Sequence, residues 1–232
     1  QMGRAVDAVI KPLEKEKYMG AKTFLKKGTF FDMDYLFDVV PKKQAPFDFE
    51  TFKNSAKRFI INTTDCLTGK SVYYEDFDTE EQFWKICRAA NSLPFISRVS
   101  RINDIPMLDG GLADALPMEK VQEEGWEKLL VILTRKEDYR KKYRHLYMFF
   151  LRLLYHKYPQ LIKTVAGRAQ KYNACLDEID RMEKEGKAIV LRPSRLAVGN
   201  NESNVEVLMD YYQHGYEEAM GREEEIFSFL TT

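Results

Sequence analysis

Apolar and polar positions divide the chain into a first half of short, mixed segments and a second half dominated by helical stripes. Ala5, Val6, Ala8, Val9 and Ile10 predict a helix over residues 1–17 that is already running, with no capping signal ahead of it. Residues 20–46 read as aromatic and loop-rich, carrying Phe24, Phe30, Phe31, Tyr35 and Phe37 before Pro41 and Pro46. A short helical stretch follows Phe47 to Phe52. The β-formers of Arg58 to Thr64, ended by Asp65, predict a buried strand. Val72 to Tyr74 predicts a second strand, across a turn at Thr68, Gly69 and Lys70.

Thr79 to Ala90 predicts a helix capped by the Thr79 hydroxyl, with Glu80 and Glu81 favourable in its first turn and Pro94 beyond its end. Ile105 to Leu108 is a short extended piece, and Pro117 to Glu124 a helix that opens on proline. Leu129 to Thr134 is the clearest buried strand, and Ala188 to Leu191 another. Helical stripes cover 144–157, 160–185 and the end of the chain from Val205, with Leu208, Tyr212, Tyr216, Ala219 and Ile226 on one face. Strands alternating with helices at this spacing predict an α/β fold with a mainly parallel central sheet and a helical C-terminal half. With no repeat and no linker in view, 1–232 reads as a single domain.

Composition narrows the class. The 232 residues are 44% hydrophobic and 13% aromatic, so the chain is neither disordered nor low-complexity. Its apolar runs fall short of the ~20 residues a membrane-crossing helix needs. The 36 basic and 36 acidic residues balance to zero, which argues against nucleic acid as a partner and makes any anion recognition local. Cys66, Cys87 and Cys175 form no CxxC pair and read as free, mostly buried thiols, which suits a cytoplasmic, reducing compartment.

Metal and nucleotide chemistry find little support. His145, His156 and His214 show no HxH or HxxxH pairing, and neither GxGxxG nor GxxxxGK[ST] occurs. The informative segment is Met107 to Pro117, in which Asp109 at the end of a short strand precedes Gly110 and Gly111. Two glycines let the backbone turn sharply and let a second segment or substrate approach closely. A carboxylate held there can orient or deprotonate a hydroxyl. A plain Asp-Gly turn is the competing reading on spacing alone. Asp114 is the rival carboxylate, read as a cap for the helix near Pro117.

The order of segments reaches further. Asp65 to Lys70 (DCLTGK), Arg88 to Phe95 (RAANSLPF), Leu108 to Asp114 with Pro117, and Leu129 to Arg135 (LLVILTR) together resemble the patatin-like phospholipase family, in its bacterial branch. The resemblance implies a three-layer α/β fold and a serine lipid acyl hydrolase with a Ser–Asp dyad, working without metal or organic cofactor. The family's dyad aspartate falls on Asp109. Its nucleophile sits in a G-x-S-x-G elbow and its oxyanion hole in a Gly-rich turn. None of the eight serines here lies in such an elbow. The resemblance therefore implies a domain that is N-terminally incomplete, with those parts ahead of residue 1. Alone, such a chain is expected to be inactive, since losing even one oxyanion donor costs about 10²–10³ in rate. Ser92, beside Leu93 and Pro94, reads as a residue that shapes the site.

Two alternatives stay open: a noncatalytic binding or regulatory module on the same fold, and a carboxylesterase for soluble esters. The expected partner is a lipid or other ester substrate, with peripheral contact at a membrane as a further expectation. Arg135, Lys136, Arg140, Lys141, Lys142 and Arg144 precede Leu146 to Leu151 and could bring an aromatic helix to a lipid surface. A core helix with a solvated basic end is the favoured reading of that stretch. Phe30, Phe31, Tyr35 and Phe37 suit either an acyl-chain pocket or ordinary packing.

Overall fold

A computed structural model of the chain describes residues 6–16, 18–195, 198–199 and 202–231. Two compact units result, one from 1–115 with 143–168 and one from 116–142 with 169–232.

The first unit opens with a wide-turned helix, Val6–Ile10, that continues into α1 (Lys11–Glu16). Residues 1–5 and 17 of the expected first helix lie outside the described residues. The segment read as loop contains α2 (Ala21–Lys27) and a π-helical stretch, Tyr35–Gln44. Its wide turns suit Pro41, which has no N–H to donate, and the Ala45 N–H reaches back to the Val40 carbonyl at 2.9 Å. The loop aromatics pack among themselves and onto neighbours: Tyr35 stacks on Tyr18 at 5.6 Å, and Phe37 meets Trp84 at 6.4 Å.

After α3 (Phe49–Lys53) comes a four-stranded sheet made of β1 (Ile61–Asp65), β2 (Ser71–Tyr74), β3 (Ser100–Ile102) and β4 (Ile105–Asp109), in the order β2-β1-β4-β3. Every pairing in it is antiparallel, which corrects the expected mainly parallel sheet. Loop length dictates two of the three pairings. β1 and β2 are joined by the Asp65–Lys70 turn, and β3 and β4 by Asn103 and Asp104 at φ 48° and 64°. Connections this short can only reverse the chain, and a parallel pair needs a long crossover. Between the hairpins runs α4 (Glu80–Ala90), capped as expected by Thr79, whose hydroxyl accepts the Gln82 N–H at 3.2 Å.

Two apolar clusters hold this unit. One gathers Phe49, Phe77, Phe83, Ile86, Ile102 and Met107 around α4, where the aromatic rings stand about 5–6 Å apart. The other joins Cys66, Leu108 and Leu112 to Met148 and Leu151 of α6 (His145–Leu154) and to Leu161 and Val165 at the start of α7 (Pro159–Lys184).

The second unit takes residues 169–184 of α7, α5 (Met118–Glu123), β5 (Leu129–Ile132), β6 (Ala188–Leu191), α8 (Val205–Met220) and α9 (Glu223–Thr231). β5 and β6 pair in parallel, the arrangement their long helical connection requires. β6 is buried along its length. β5 is half-buried on one face and exposed on the other, with Ile132 70% exposed, so the reading of Leu129 to Thr134 as the clearest buried strand is corrected. Cys175, Leu176, Ile179 and Met182 form the core with Ala188 and Val190.

Candidate functional site

Asp109 is the last residue of β4 and the first to leave the sheet. Its backbone N–H donates to the Ser92 carbonyl at 2.8 Å, and its Oδ1 accepts the Gly111 N–H at 2.7 Å. That second bond caps the short 3₁₀ turn Gly110–Leu112 and fixes the carboxylate's direction. The main chain of the turn is held from β1. The Thr64 hydroxyl donates to the Asp109 carbonyl at 2.8 Å, and Thr64 Oγ1 lies 3.2 Å from the Ala113 N–H. Gly110 is required by close approach: a Cβ there would stand 2.1 Å from Asn62 Oδ1 and 2.4 Å from the Asn62 carbonyl.

Tyr147 of α6 and Arg168 of α7 come to the same place. A Cβ on Gly111 would lie 3.5 Å from an Arg168 guanidinium nitrogen and 3.0 Å from Asp109 Oδ1. Burial pushes the Tyr147 phenol up to about 12; the charges of Asp109 and Tyr155 add to the rise, and Arg168 and Arg144 oppose it. Tyr147 therefore keeps its proton, within electrostatic reach of Asp109 and Arg168. Sequence reasoning passed over both residues, because α6 and α7 reach Asp109 only through the tertiary fold.

The other candidates separate cleanly. Ser92 is 1% exposed, and its hydroxyl donates to the Arg88 carbonyl at 2.8 Å and meets Ser100 Oγ at 3.0 Å. Its carbonyl supports the Asp109 turn, and both a lone pair and the proton of its hydroxyl are engaged within the protein. Asp114 is buried, with Oδ2 accepting from the Tyr73 hydroxyl at 2.5 Å and its carbonyl from Asn62 Nδ2 at 2.7 Å. Pro117 occupies the N-cap position of α5, so Asp114 does not cap that helix and instead ties β1 and β2 to the end of the turn. Asp65 closes its own turn through the Leu67 N–H at 2.7 Å and the Thr68 hydroxyl at 2.9 Å. Thr164 donates to the Gly69 carbonyl at 2.7 Å, packing α7 against that turn.

His145 and His156 are exposed on or beside α6. His214, in the second unit, is buried and accepts the Ser194 N–H at 3.1 Å. Among the described residues no group of three or more His, Cys, Asp and Glu side chains is placed to hold a metal ion. No helix of the described residues is long and apolar enough to cross a membrane. A cleft of about 980 Å³ in the first unit is lined largely by charge, with Arg88 held between Asp34 and Asp38 at 2.7 and 2.6 Å. Of the four loop aromatics only Phe37 reaches it, so it is no greasy slot for an acyl chain.

Asp109 thus caps a glycine turn at a strand end, and the buried Thr64 hydroxyl of the neighbouring strand steadies that turn. The family model for patatin-like phospholipase matches residues 4–121, half of the chain, and includes all of β1 to β4 and the Asp109 turn. The chain belongs to the patatin-like phospholipase family. A second model, described as a domain of unknown function (DUF6363), matches residues 158–231. The Escherichia coli K12 protein YjjU is 26% identical over 141 residues, which is 58% of this chain and 38% of YjjU. The chain thus spans well under half the length of that relative.

Proposed function

We propose that this chain forms the aspartate-bearing part of a lipid acyl hydrolase that cleaves carboxylic esters through a Ser–Asp dyad and an acyl-enzyme. Asp109 is the dyad acid. The nucleophilic serine and the oxyanion donors come from sequence outside these 232 residues. In the reaction Asp109 accepts the serine proton as the hydroxyl attacks the ester carbonyl, and returns it to the departing alcohol. Water then attacks the acyl-serine by the same proton path. No histidine is needed, and neither metal nor organic cofactor enters the scheme.

The observation that carries this reading is the Asp109 turn. The Gly111 N–H pins one carboxylate oxygen and fixes the direction of the whole group at the strand end. Arg168 brings a guanidinium of opposite charge to the same turn. The test compares the 232-residue chain with the reading frame extended upstream, using a fluorophosphonate probe and a p-nitrophenyl ester. The extended protein should label on one serine and turn over, while the 232-residue chain should do neither. An extended protein without a labelled serine would leave the noncatalytic module as the better reading.

A further inference from the structure

α6 is apolar on two faces, and only one of them is used inside the protein. Met148 and Leu151 turn inward to the cluster of Cys66, Leu108 and Leu112, with Tyr147 and Tyr155 packed beside them. On the opposite side Leu146, Phe149, Phe150, Leu153 and Leu154 fall at the i, i+3, i+4, i+7, i+8 spacing of one helical face, and each is between 44% and 70% exposed. This corrects the reading of the stretch as a plain core helix. Five large apolar side chains in one unbroken stripe are more than the scattered exposure of an ordinary surface.

Charge around the stripe says what it meets. Residues 143–168 contain Arg144, Arg152, Lys157, Lys163 and Arg168 and no Asp or Glu, in a chain whose net charge is zero. Arg144 precedes the helix, Arg152 lies on it and Lys157 follows it, all three exposed. The expected lysine- and arginine-rich run farther upstream is partly committed elsewhere: Arg140 lies 3.3 Å from Asp177 and 3.4 Å from Asp180, and Lys141 sits 4.5 Å over the Tyr172 ring. The cations of 143–157 carry the attraction instead. An amphipathic helix with leucine and phenylalanine on one face and arginine at its margins lies in the plane of a bilayer surface, not across it.

We propose that α6 docks the protein on anionic lipid bilayers, with Leu146, Phe149, Phe150, Leu153 and Leu154 entering the acyl boundary and Arg144, Arg152 and Lys157 meeting the headgroups. The proposal goes beyond the hydrolase reading, because docking needs neither the serine nor Asp109. It is tested with the full-length protein and vesicles of ether-linked lipid, which no esterase can cleave. Sedimentation with phosphatidylglycerol vesicles at low salt should recover the protein, and phosphatidylcholine vesicles should not.

The triple substitution L146N/F149N/L153N should lower the partition coefficient about tenfold or more, with unchanged circular dichroism. R144Q/R152Q should erase most of the preference for the anionic lipid, at about fivefold per cation removed. Should the triple variant fail to fold, Phe149→Trp serves: its emission should shift to the blue on adding phosphatidylglycerol vesicles and be quenched by brominated acyl chains. Absence of binding, or binding indifferent to these residues, overturns the proposal. So does a dimer in light scattering that the triple variant splits while vesicles stay unbound, since the stripe would then meet a second copy.

Discussion

At the scale of single residues the Asp109 turn makes opposite demands on neighbouring positions. Gly110 has no room for a methyl group, because Asn62 occupies its Cβ position from two sides. Gly110→Ala should therefore destabilise the protein by about 1–3 kcal/mol, the usual cost of overpacking a site that cannot open, as read from urea denaturation midpoints. Asp109→Asn should be mild for folding, since an amide oxygen can still accept the Gly111 N–H. The two variants separate a structural need from a chemical one on adjacent residues. His214 offers a third test. Its buried ring accepts the N–H of Ser194, and His214→Ala should cost about 1–3 kcal/mol by emptying the space the ring fills and losing that bond.

Titration adds a residue-scale prediction with a definite sign. Burial pushes the thiols of Cys66 and Cys87 and the phenols of Tyr18 and Tyr147 up to about 12. Unfolded, the thiols ionise near 9 and the phenols near 10. A raised folded-state value means the native state keeps protons that the unfolded state releases. The stability they contribute is complete below pH 9 and is lost as pH climbs from there toward 12. Thermal midpoints should hold steady from pH 7 to 8.5 and then fall through pH 10.5. A flat profile across that range would show that these groups are not buried as described.

Elements explain how much of this was legible in the chain. The Thr79 cap, the existence of strands β5 and β6, the long helix α7 and the start of α8 follow from capping chemistry and apolar patterning, which act over a few residues. The π-turned Tyr35–Gln44 segment does not, because its aromatics show no clean period and Pro41 argues against any helix. The parallel sheet was expected from strand–helix alternation, yet two short turns decide the matter. Asn103-Asp104 between extended pieces is a hairpin signal that, read as such, would have placed β3 against β4. α6 misled for another reason. Periodicity reports that a face is apolar, and it cannot report whether protein or something else covers that face.

For the whole molecule, the Asp-Gly-Gly turn was visible from the residues, and its surroundings were not. Asp109 stands out because two glycines follow a carboxylate. Tyr147 and Arg168 stay hidden, since 38 and 59 residues of chain separate them from Asp109 and only folding brings them back. The family match over 4–121 covers the turn and its sheet and reaches into α5, and α6 to α9 lie wholly beyond it. The second unit is held by its own apolar core and by charge pairs such as Arg192 with Asp180 at 2.5 Å.

The central claim is that Asp109 acts chemically and does not merely cap a turn. Its most direct test is the rate of ester hydrolysis by the complete protein beside its Asp109→Asn variant, with both shown to be folded by their denaturation curves. The variant should lie within about 1 kcal/mol of the wild type in stability and be slower by roughly 10⁴-fold in kcat, the scale lost when a group acting in a hydrolytic dyad is removed. A folded variant that hydrolyses at the wild-type rate would contradict it and leave Asp109 as an ordinary turn residue.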